Sequence, residues 1–156
     1  MLQWQKIYKL GDKMKEEFIY KEAKEALIQK LKQLGYNPLS EEVSEDYIKF
    51  ISNNGDTNEV ILCFLNLDKA RSISINQRDF DYTPRADLLI LLTIYMHDMK
   101  PVMYLIPSIV FITPNAIFQS HDQPARLRHF STWQIKIFTK AIEELSQYAL
   151  NAVNEL

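Results

Sequence analysis

The strongest constraint on the fold is a pair of apolar runs separated by a short polar segment. Residues 86–95 read ADLLILLTIY, and residues 101–106 read PVMYLI. Both runs contain β-branched and aromatic side chains, which favour strands. The polar residues 97–100 predict a turn between them, and the proline at position 101 starts the second run, where a strand tolerates it. We therefore expect two paired strands, the first of them central in a sheet.

Three further segments also predict strands. Residues 46–51 and 59–67 flank the sequence SNNGD at positions 52–56, which is a strong turn signal. The run 59–67 is almost continuously apolar, so it should be buried on both faces. Residues 72–76 alternate isoleucine with polar side chains and predict a strand with one buried face.

Two helices are predicted towards the ends of the chain. In residues 12–34 apolar side chains recur mostly at intervals of three and four, and Gly35 is the kind of residue that ends a helix. A second helix is predicted from about residue 132, because Ser131 and Gln134 have the spacing of a capping box. Its predicted buried face consists of Ile135, Phe138, Ile142, Leu145, Ala149 and Ala152, with Trp133, Ile137 and Tyr148 beside it.

The order of these elements predicts an α/β or α+β fold, in which an N-terminal and a C-terminal helix flank a mixed central β-sheet of about five strands. A length of 156 residues fits a single domain over residues 1–156, with residues 1–11 as an N-terminal arm or short helix. The longest apolar run, Leu88 to Leu92, is too short to span a membrane, so no membrane association is expected. A single cysteine, Cys63, and the lack of a signal-peptide pattern favour a reducing, cytoplasmic setting.

Two short motifs give this order of elements a family resemblance. Leu34-Gly35-Tyr36 follows the first helix, and Tyr104-Leu105-Ile106-Pro107-Ser108 ends the second strand of the central pair. With the preceding Asp-Leu-Leu-Ile-Leu-Leu strand, they resemble the PD-(D/E)XK nuclease-like superfamily, also called the restriction-endonuclease-like fold, over residues 15–150. The resemblance is strongest to a small branch of uncharacterised bacterial proteins. It implies a role linked to nucleic acid, since the superfamily acts around mobile elements, defence and DNA processing.

The chemistry of that superfamily needs acidic groups that hold Mg²⁺ and a lysine that orients or deprotonates the attacking water. The resemblance places Asp46, at the start of the predicted strand over residues 46–51, at the position of the superfamily's first acid. It places Glu22 or Glu25 at the position of a glutamate on the first helix. These three residues are the catalytic candidates that the resemblance offers.

The predicted strand over residues 59–67 corresponds to the third strand of the superfamily, and its sequence departs from the superfamily pattern. It should carry an acid two residues before a lysine, yet residues 60–67 read VILCFLNL, and the expected pair falls on Phe64 and Asn66. We therefore expect a degenerate site that has no catalytic residues and uses no metal. The alternative is a Mg²⁺-dependent nuclease with displaced catalytic residues.

The distribution of charge points to one region for nucleic-acid contacts. The formal net charge of -2 gives no global positive field, but residues 68–140 hold more basic than acidic side chains. The candidate contacts are Arg126, Arg128, His129, Lys136, Arg71 and Arg78. Phe80 and Tyr82 lie near them in sequence and could stack on bases. The alternative is an ordinary charged surface that neutralises Asp79, Asp81 and Asp87.

The aromatic content adds an expectation about assembly. Aromatic side chains exceed what one small core needs, and part of this surplus predicts a homodimer interface; it comprises Trp4, Tyr8, Phe111, Phe118 and Trp133. Three functions are compatible with the sequence. They are a catalytically inactive nuclease-like protein for binding or assembly, linked to nucleic acid; a Mg²⁺-dependent nuclease with displaced residues; and a protein-interaction subunit that binds no nucleic acid.

Overall fold

The computed structural model of the protein describes residues 11–38, 47–51, 55–97 and 99–154. These described residues form a mixed α+β structure with two sheets and two α-helices. The main sheet has the strand order β1-β2-β3-β5-β6, with β1 at Asn37–Pro38, β2 at Tyr47–Ile51, β3 at Thr57–Asn66, β5 at Leu88–Tyr95 and β6 at Val102–Pro107. The second sheet has the order β4-β8-β7, with β4 at Ser72–Asn76, β7 at Phe118–His121 and β8 at Thr132–Lys136.

The predicted central pair of strands is confirmed. All eight residues of β5 are buried, and β5 pairs antiparallel with β6 from Leu89 opposite Pro107 to Ile94 opposite Val102. On its other side β5 runs parallel to β3, with Glu59 opposite Leu88. This is the one parallel pair among the described strands, and the carboxyl ends of β3 and β5 therefore lie side by side.

The first helix, α1 (Asp12–Gln33), covers one face of the main sheet. Ala23, Leu27 and Leu31 recur every fourth residue, are fully buried and pack in one core with Val60 of β3 and Leu91 of β5. The helix ends as predicted, because Gly35 has a φ of 85°, which glycine adopts without steric cost. This conformation lets the Tyr36 backbone nitrogen donate a hydrogen bond to the Leu31 carbonyl oxygen at 2.9 Å.

The second sheet covers the other face of the main sheet, and the larger core lies between them. Ile90 and Ile106 of the main sheet belong to this core, together with Trp133 and Ile135 of β8. The indole of Trp133 stacks on Phe111, with ring centroids 5.3 Å apart and planes 10° apart. Strand β4 was predicted correctly, but it belongs to this second sheet and not to the central one.

The predicted second helix is wrong over its first turns. Residues 132–136 form β8, and the C-terminal helix α2 extends only over Thr139–Leu145. Trp133, Ile135 and Ile137 are buried in alternation, which is the period of a strand. Ser131 does not cap a helix, since its hydroxyl accepts a hydrogen bond from the Gln123 backbone nitrogen at 3.0 Å. Strand β7, which pairs with β8, was not predicted.

The predicted aromatic dimer interface also needs correction. Phe111, Phe118 and Trp133 are buried in the core of the same chain, so these three side chains are not a surplus that a partner could cover. Trp4 and Tyr8 lie outside the described residues. The aromatic side chains that are exposed in the described part are instead Phe130 and Phe138.

Candidate functional site

A groove of about 640 Å³ opens between α1 and the main sheet. The described residues that line it come from three elements: Glu16, Glu17, Ile19 and Tyr20 from α1, Leu62 and Phe64 from β3, and Tyr95 from the end of β5. Side chains alternate between the two faces of a strand, so Leu62 and Phe64 both face the helix. A smaller cavity of about 170 Å³ shares Glu16 and Tyr95 with the groove and is also lined by Lys15, Asn66, Asp68, Lys69 and His97.

The groove and the smaller cavity lie at the carboxyl ends of the parallel strands β3 and β5. Ligands of open α/β sheets bind at this edge. The edge is held together by local hydrogen bonds: an Asp68 carboxylate oxygen accepts from the His97 backbone nitrogen at 2.6 Å, and the Asn66 side-chain oxygen accepts from the Asp68 backbone nitrogen at 3.0 Å. These hydrogen bonds connect the segment that follows β3 to the segment that follows β5.

Three of the seven described residues that line the groove are aromatic. The rings of Tyr20 and Phe64 pack with centroids 5.3 Å apart, and the Lys24 ammonium lies 5.0 Å from the centre of the Tyr20 ring. Thr93 is the partner of Phe64 in the parallel register, and its hydroxyl is buried without a hydrogen-bond partner in the described structure. The groove thus combines aromatic surface with an unused polar group beside its floor.

Two of the sequence-predicted catalytic candidates, Glu22 and Glu25, can be located relative to the groove and the smaller cavity. Phe64 lines the groove and Asn66 lines the smaller cavity, but Glu22 and Glu25 line neither. The helix carboxylates at the groove are Glu16 and Glu17, which the sequence reasoning passed over. The signal that could have found them is helical spacing, because Glu16 precedes Tyr20 by four residues on one side of the helix.

Metal binding gains no support from the described part of the chain. Within it, no three histidine, cysteine, aspartate or glutamate side chains are grouped so that they could hold a metal ion. Asp46, the first acidic candidate, lies outside the described residues.

The second sheet presents a solvent-facing side that we call the polar face. It consists of alternate residues of the three strands: Ser72, Ser74, Asn76, Gln119, His121, Thr132, Gln134 and Lys136. Gln134 lies at its centre, donates a hydrogen bond to the Ser72 hydroxyl at 3.1 Å and lies 2.8 Å from the His121 ring nitrogen Nε2. None of these eight side chains is a carboxylate, so the polar face is neutral to basic and rich in hydrogen-bonding groups.

The six predicted nucleic-acid contacts lie at the two ends of the polar face. Ser72 pairs with Lys136 and Asn76 with Thr132, so the ends are about 14 Å apart along β4. One end carries Lys136 and Arg71, whose carbonyl oxygen accepts a hydrogen bond from the Ile137 backbone nitrogen at 2.8 Å. Lys136 is thus on a strand and not on the predicted helix.

The other end of the polar face carries Arg78 and the basic turn, which we define as residues 125–130. Arg126, Arg128 and His129 of this turn are exposed, and the turn leads directly into β8. The Arg78 guanidinium lies 3.8 Å from the Asp79 carboxylate, and both side chains are exposed. Exposed pairs of this kind hold little free energy, so Arg78 stays available to other anions.

The two aromatic residues predicted to stack on bases have other contacts. The Arg128 guanidinium lies 4.0 Å from the centre of the Tyr82 ring and covers one face of that ring. Phe80 stacks on the buried Trp133 and so extends the core. Phe130 of the basic turn is 62% exposed and was not predicted as a contact. It is the aromatic side chain in the turn that is open to a ligand.

A buried glutamine joins the basic end of the polar face to the sheet. The Gln77 amide nitrogen lies within hydrogen-bond distance of the Ser120 hydroxyl (3.2 Å), an Asp122 carboxylate oxygen (2.9 Å) and the Thr132 carbonyl oxygen (3.1 Å). The hydrogen bonds from Gln77 and then Ser120 lower the pKa of the Asp122 carboxyl below its ordinary value. Asp122 is thus held as an anion at this end.

No protein-family model matches the chain, and no significant match was found among curated proteins or solved structures. In the part of the chain that the structure describes, no helix combines the length and the apolar composition needed to cross a membrane.

Proposed function

We propose that this protein is a catalytically inactive, nuclease-like binding module that binds nucleic acid across the polar face of the second sheet. The observation that carries this proposal is the arrangement of charge around that face. Eight outward side chains offer hydrogen bonds and no carboxylate, and basic residues stand at both ends. Phosphates need basic partners, while bases and sugars need hydrogen-bonding or stacking groups, and the polar face with its flanking residues supplies these.

We infer the lack of catalysis from the side chains that stand at the expected metal-binding positions. The nuclease-like resemblance places its acid and lysine on Phe64 and Asn66, and Phe64 packs against Tyr20 there. An aromatic ring cannot replace the oxygen ligands that Mg²⁺ requires. The scaffold would thus keep a binding role, while the Phe64 ring stands where the resemblance expects an acid that holds the metal.

The proposal is tested by measuring the affinity for single-stranded and duplex oligonucleotides between about 50 and 200 mM salt. Two double variants separate the ends of the polar face, namely Arg71→Ala/Lys136→Ala and Arg126→Ala/Arg128→Ala. Each should weaken binding and reduce the slope of log affinity against log salt by about one to two, because each removes up to two phosphate contacts. Lys21→Ala/Lys32→Ala, on exposed positions of α1, is the matched control and should bind like the parent protein.

Two results would contradict nucleic-acid binding at this face. One is no binding at the lowest salt concentration. The other is equal loss in the control and in the two double variants, which would indicate unspecific attraction to any lysine or arginine.

A metal titration distinguishes the inactive module from a Mg²⁺-dependent nuclease with displaced residues. Mg²⁺ or Mn²⁺ at about 100 times its Kd would stabilise a specific site by about 2.7 kcal/mol and raise the melting temperature. We expect no rise and no cleavage of the bound oligonucleotide. A rise together with cleavage, both abolished by Glu16→Gln/Glu17→Gln, would establish the nuclease instead.

Assembly is a second candidate role, and one observation favours it. Phe138 and Ile142 are 42% and 43% exposed and border a depression of about 580 Å³, together with Leu67 and Arg71. We propose a homodimer that buries the Phe138 and Ile142 side chains. Sedimentation equilibrium should show a dimer that Phe138→Ser dissociates. A monomer that binds no oligonucleotide would favour the remaining alternative, a protein-interaction subunit with a different partner.

A further inference from the structure

The groove between α1 and the main sheet has the size and lining of a small-molecule site. Its volume of about 640 Å³ falls within the range of about 300–1,000 Å³ that is typical of ligand pockets. It is not explained by the proposed nucleic-acid contact, since the polar face belongs to the other sheet. The chemistry of its lining indicates which ligand it would accept.

The charged side chains of the groove are of one sign. Among the described residues that line it, Glu16 and Glu17 are charged, and both are carboxylates. Neither forms an ion pair or a hydrogen bond through its carboxylate within the described part of the chain. Lys15 and Lys69 line the smaller cavity and not the groove. An anionic ligand in the groove would be repelled, whereas a cation would gain two nearby carboxylates.

The aromatic walls favour the same kind of ligand. Three rings from different elements line the groove, those of Tyr20, Phe64 and Tyr95. Aromatic faces attract cations within about 6 Å of the ring centre. The Lys24 ammonium covers one face of the Tyr20 ring at 5.0 Å, so a ligand cation could use only the other face. Aromatic rings beside two carboxylates can recognise an organic cation through both its charge and its apolar body.

A buried hydroxyl adds a separate observation at the same place. Thr93 lies two residues before Tyr95 on the same face of β5 and opposite Phe64 in the register. Its hydroxyl has no hydrogen-bond partner in the described structure, although the side chain is fully buried. Buried polar groups are normally paired, and this hydroxyl is unpaired at the position in register with Phe64, which lines the groove.

We propose that this groove binds an organic cation with a flat apolar body, such as an aromatic amidinium, with the charge directed at Glu16 and Glu17 and the body against Tyr20, Phe64 and Tyr95. This site is independent of the polar face and of the proposed nucleic-acid binding. It needs no metal and no chemical step. A fragment of about nine heavy atoms should bind with a Kd of about 1 mM, given the affinity that small ligands reach per atom.

The test compares three ligands of nearly equal shape on the full chain, which are benzamidinium, neutral benzamide and anionic benzoate. Backbone amide NMR shifts would be followed up to about 20 mM ligand, well above the expected Kd. Benzamidinium should perturb the amides of residues 16–20 and 62–64, benzamide should bind about tenfold more weakly, and benzoate should not bind there.

Variants locate the site and separate charge from fold. Glu16→Gln/Glu17→Gln should weaken benzamidinium binding about tenfold, because it removes both charges from exposed positions that the fold does not need. Glu22→Gln/Glu25→Gln, on the same helix but outside the groove, should bind like the parent protein. Phe64→Leu should weaken binding about threefold by removing one ring, and an unchanged melting cooperativity would show that it folds.

Each contrary result overturns the proposal. Equal affinity for benzamide and benzamidinium would mean that charge plays no part. Tighter binding of benzoate would show an anion site. An unchanged affinity in Glu16→Gln/Glu17→Gln, or shifts confined to residues outside the groove, would place the ligand elsewhere. None of these results bears on the oligonucleotide measurements, so the two proposals fail or stand separately.

Discussion

The Ser108 hydroxyl binds both backbone polar groups of Arg85. It accepts a hydrogen bond from the Arg85 nitrogen at 2.9 Å and donates one to the Arg85 carbonyl oxygen at 2.8 Å. Ser108 is fully buried and directly follows β6, whereas Arg85 belongs to the connection that leads into β5. The serine of the Ile-Pro-Ser motif therefore connects the end of β6 to the segment that precedes β5. Its observed role is structural.

Replacing Ser108 by alanine should destabilise the protein. The change leaves the Arg85 backbone nitrogen without its partner, whereas the Arg85 carbonyl oxygen keeps the hydrogen bond from the Leu88 backbone nitrogen at 3.2 Å. A buried unpaired group costs about 1–3 kcal/mol. The free energy of unfolding, measured by urea titration, should fall by about that amount with an unchanged slope. Ser146→Ala is the control, because that hydroxyl is exposed and bonds only to the nearby Glu143 carbonyl oxygen. Equal effects in the two variants would contradict the role of Ser108.

The central strands and the end of α1 could be predicted from sequence because their signals are local. A continuous apolar run in β5 has no competing interpretation as a surface element, and Gly35 marks a helix end by its conformational freedom. The segment after Ser131 is different. Its apolar residues satisfy both helical and strand spacing, and the pairing of β8 with β4 and β7, distant in sequence, decides between them.

Two isoleucine residues test whether the segment after Ser131 forms a strand and not the predicted helix. A helix from residue 132 would bury Ile135 and Ile142 on one face, but Ile135 is fully buried and Ile142 is 43% exposed. Ile135→Ala should therefore cost about 2–5 kcal/mol of unfolding free energy through the cavity it leaves. Ile142→Ala, measured at concentrations where the protein is monomeric, should cost less than about 1 kcal/mol, since most surface substitutions have small effects. A similar loss of unfolding free energy in both variants would favour the helix over the strand.

The candidate sites were harder to predict than the strands. Glu16 and Glu17 look in sequence like ordinary solvated helix residues, and only the packing of α1 on β3 brings them to a groove. The basic residues were identified from charge alone, but the division into two ends depends on the register of β4 with β8. Sequence can therefore nominate charged residues, while tertiary pairing decides which of them share a surface.

The pKa of Asp122 should depend on Gln77. The Gln77 amide is the main cause of its lowered pKa, so Gln77→Met should raise the pKa towards the ordinary aspartate value of about 3.9. Carboxyl carbon NMR titration measures this shift. Gln123→Met, which changes the residue next to Asp122, is the control and should leave the pKa low. A pKa that stays low in Gln77→Met would assign the effect to Ser120.

The same interaction predicts how stability depends on pH. Because the folded-state pKa of Asp122 is below its unfolded value, the carboxylate stabilises the fold above the unfolded pKa, and this contribution is lost as the pH falls through the folded pKa. The difference in unfolding free energy between the parent protein and Asp122→Asn should therefore be largest near neutral pH and shrink in acid. A difference that grows on acidification would contradict the assignment.

Thr93 offers a substitution that should raise stability. Its hydroxyl lies in the centre of β5 with no hydrogen-bond partner in the described structure, and burying an unpaired hydroxyl costs about 1–3 kcal/mol. Valine keeps the branched shape that suits a strand and removes the unpaired group, so Thr93→Val should raise the free energy of unfolding by about 1 kcal/mol. Thr113→Val, at an exposed position, is the matched control and should change it by less than about 0.5 kcal/mol. A loss of stability in Thr93→Val would mean that the hydroxyl is satisfied in solution, for example by a buried water molecule that enters beside Phe64.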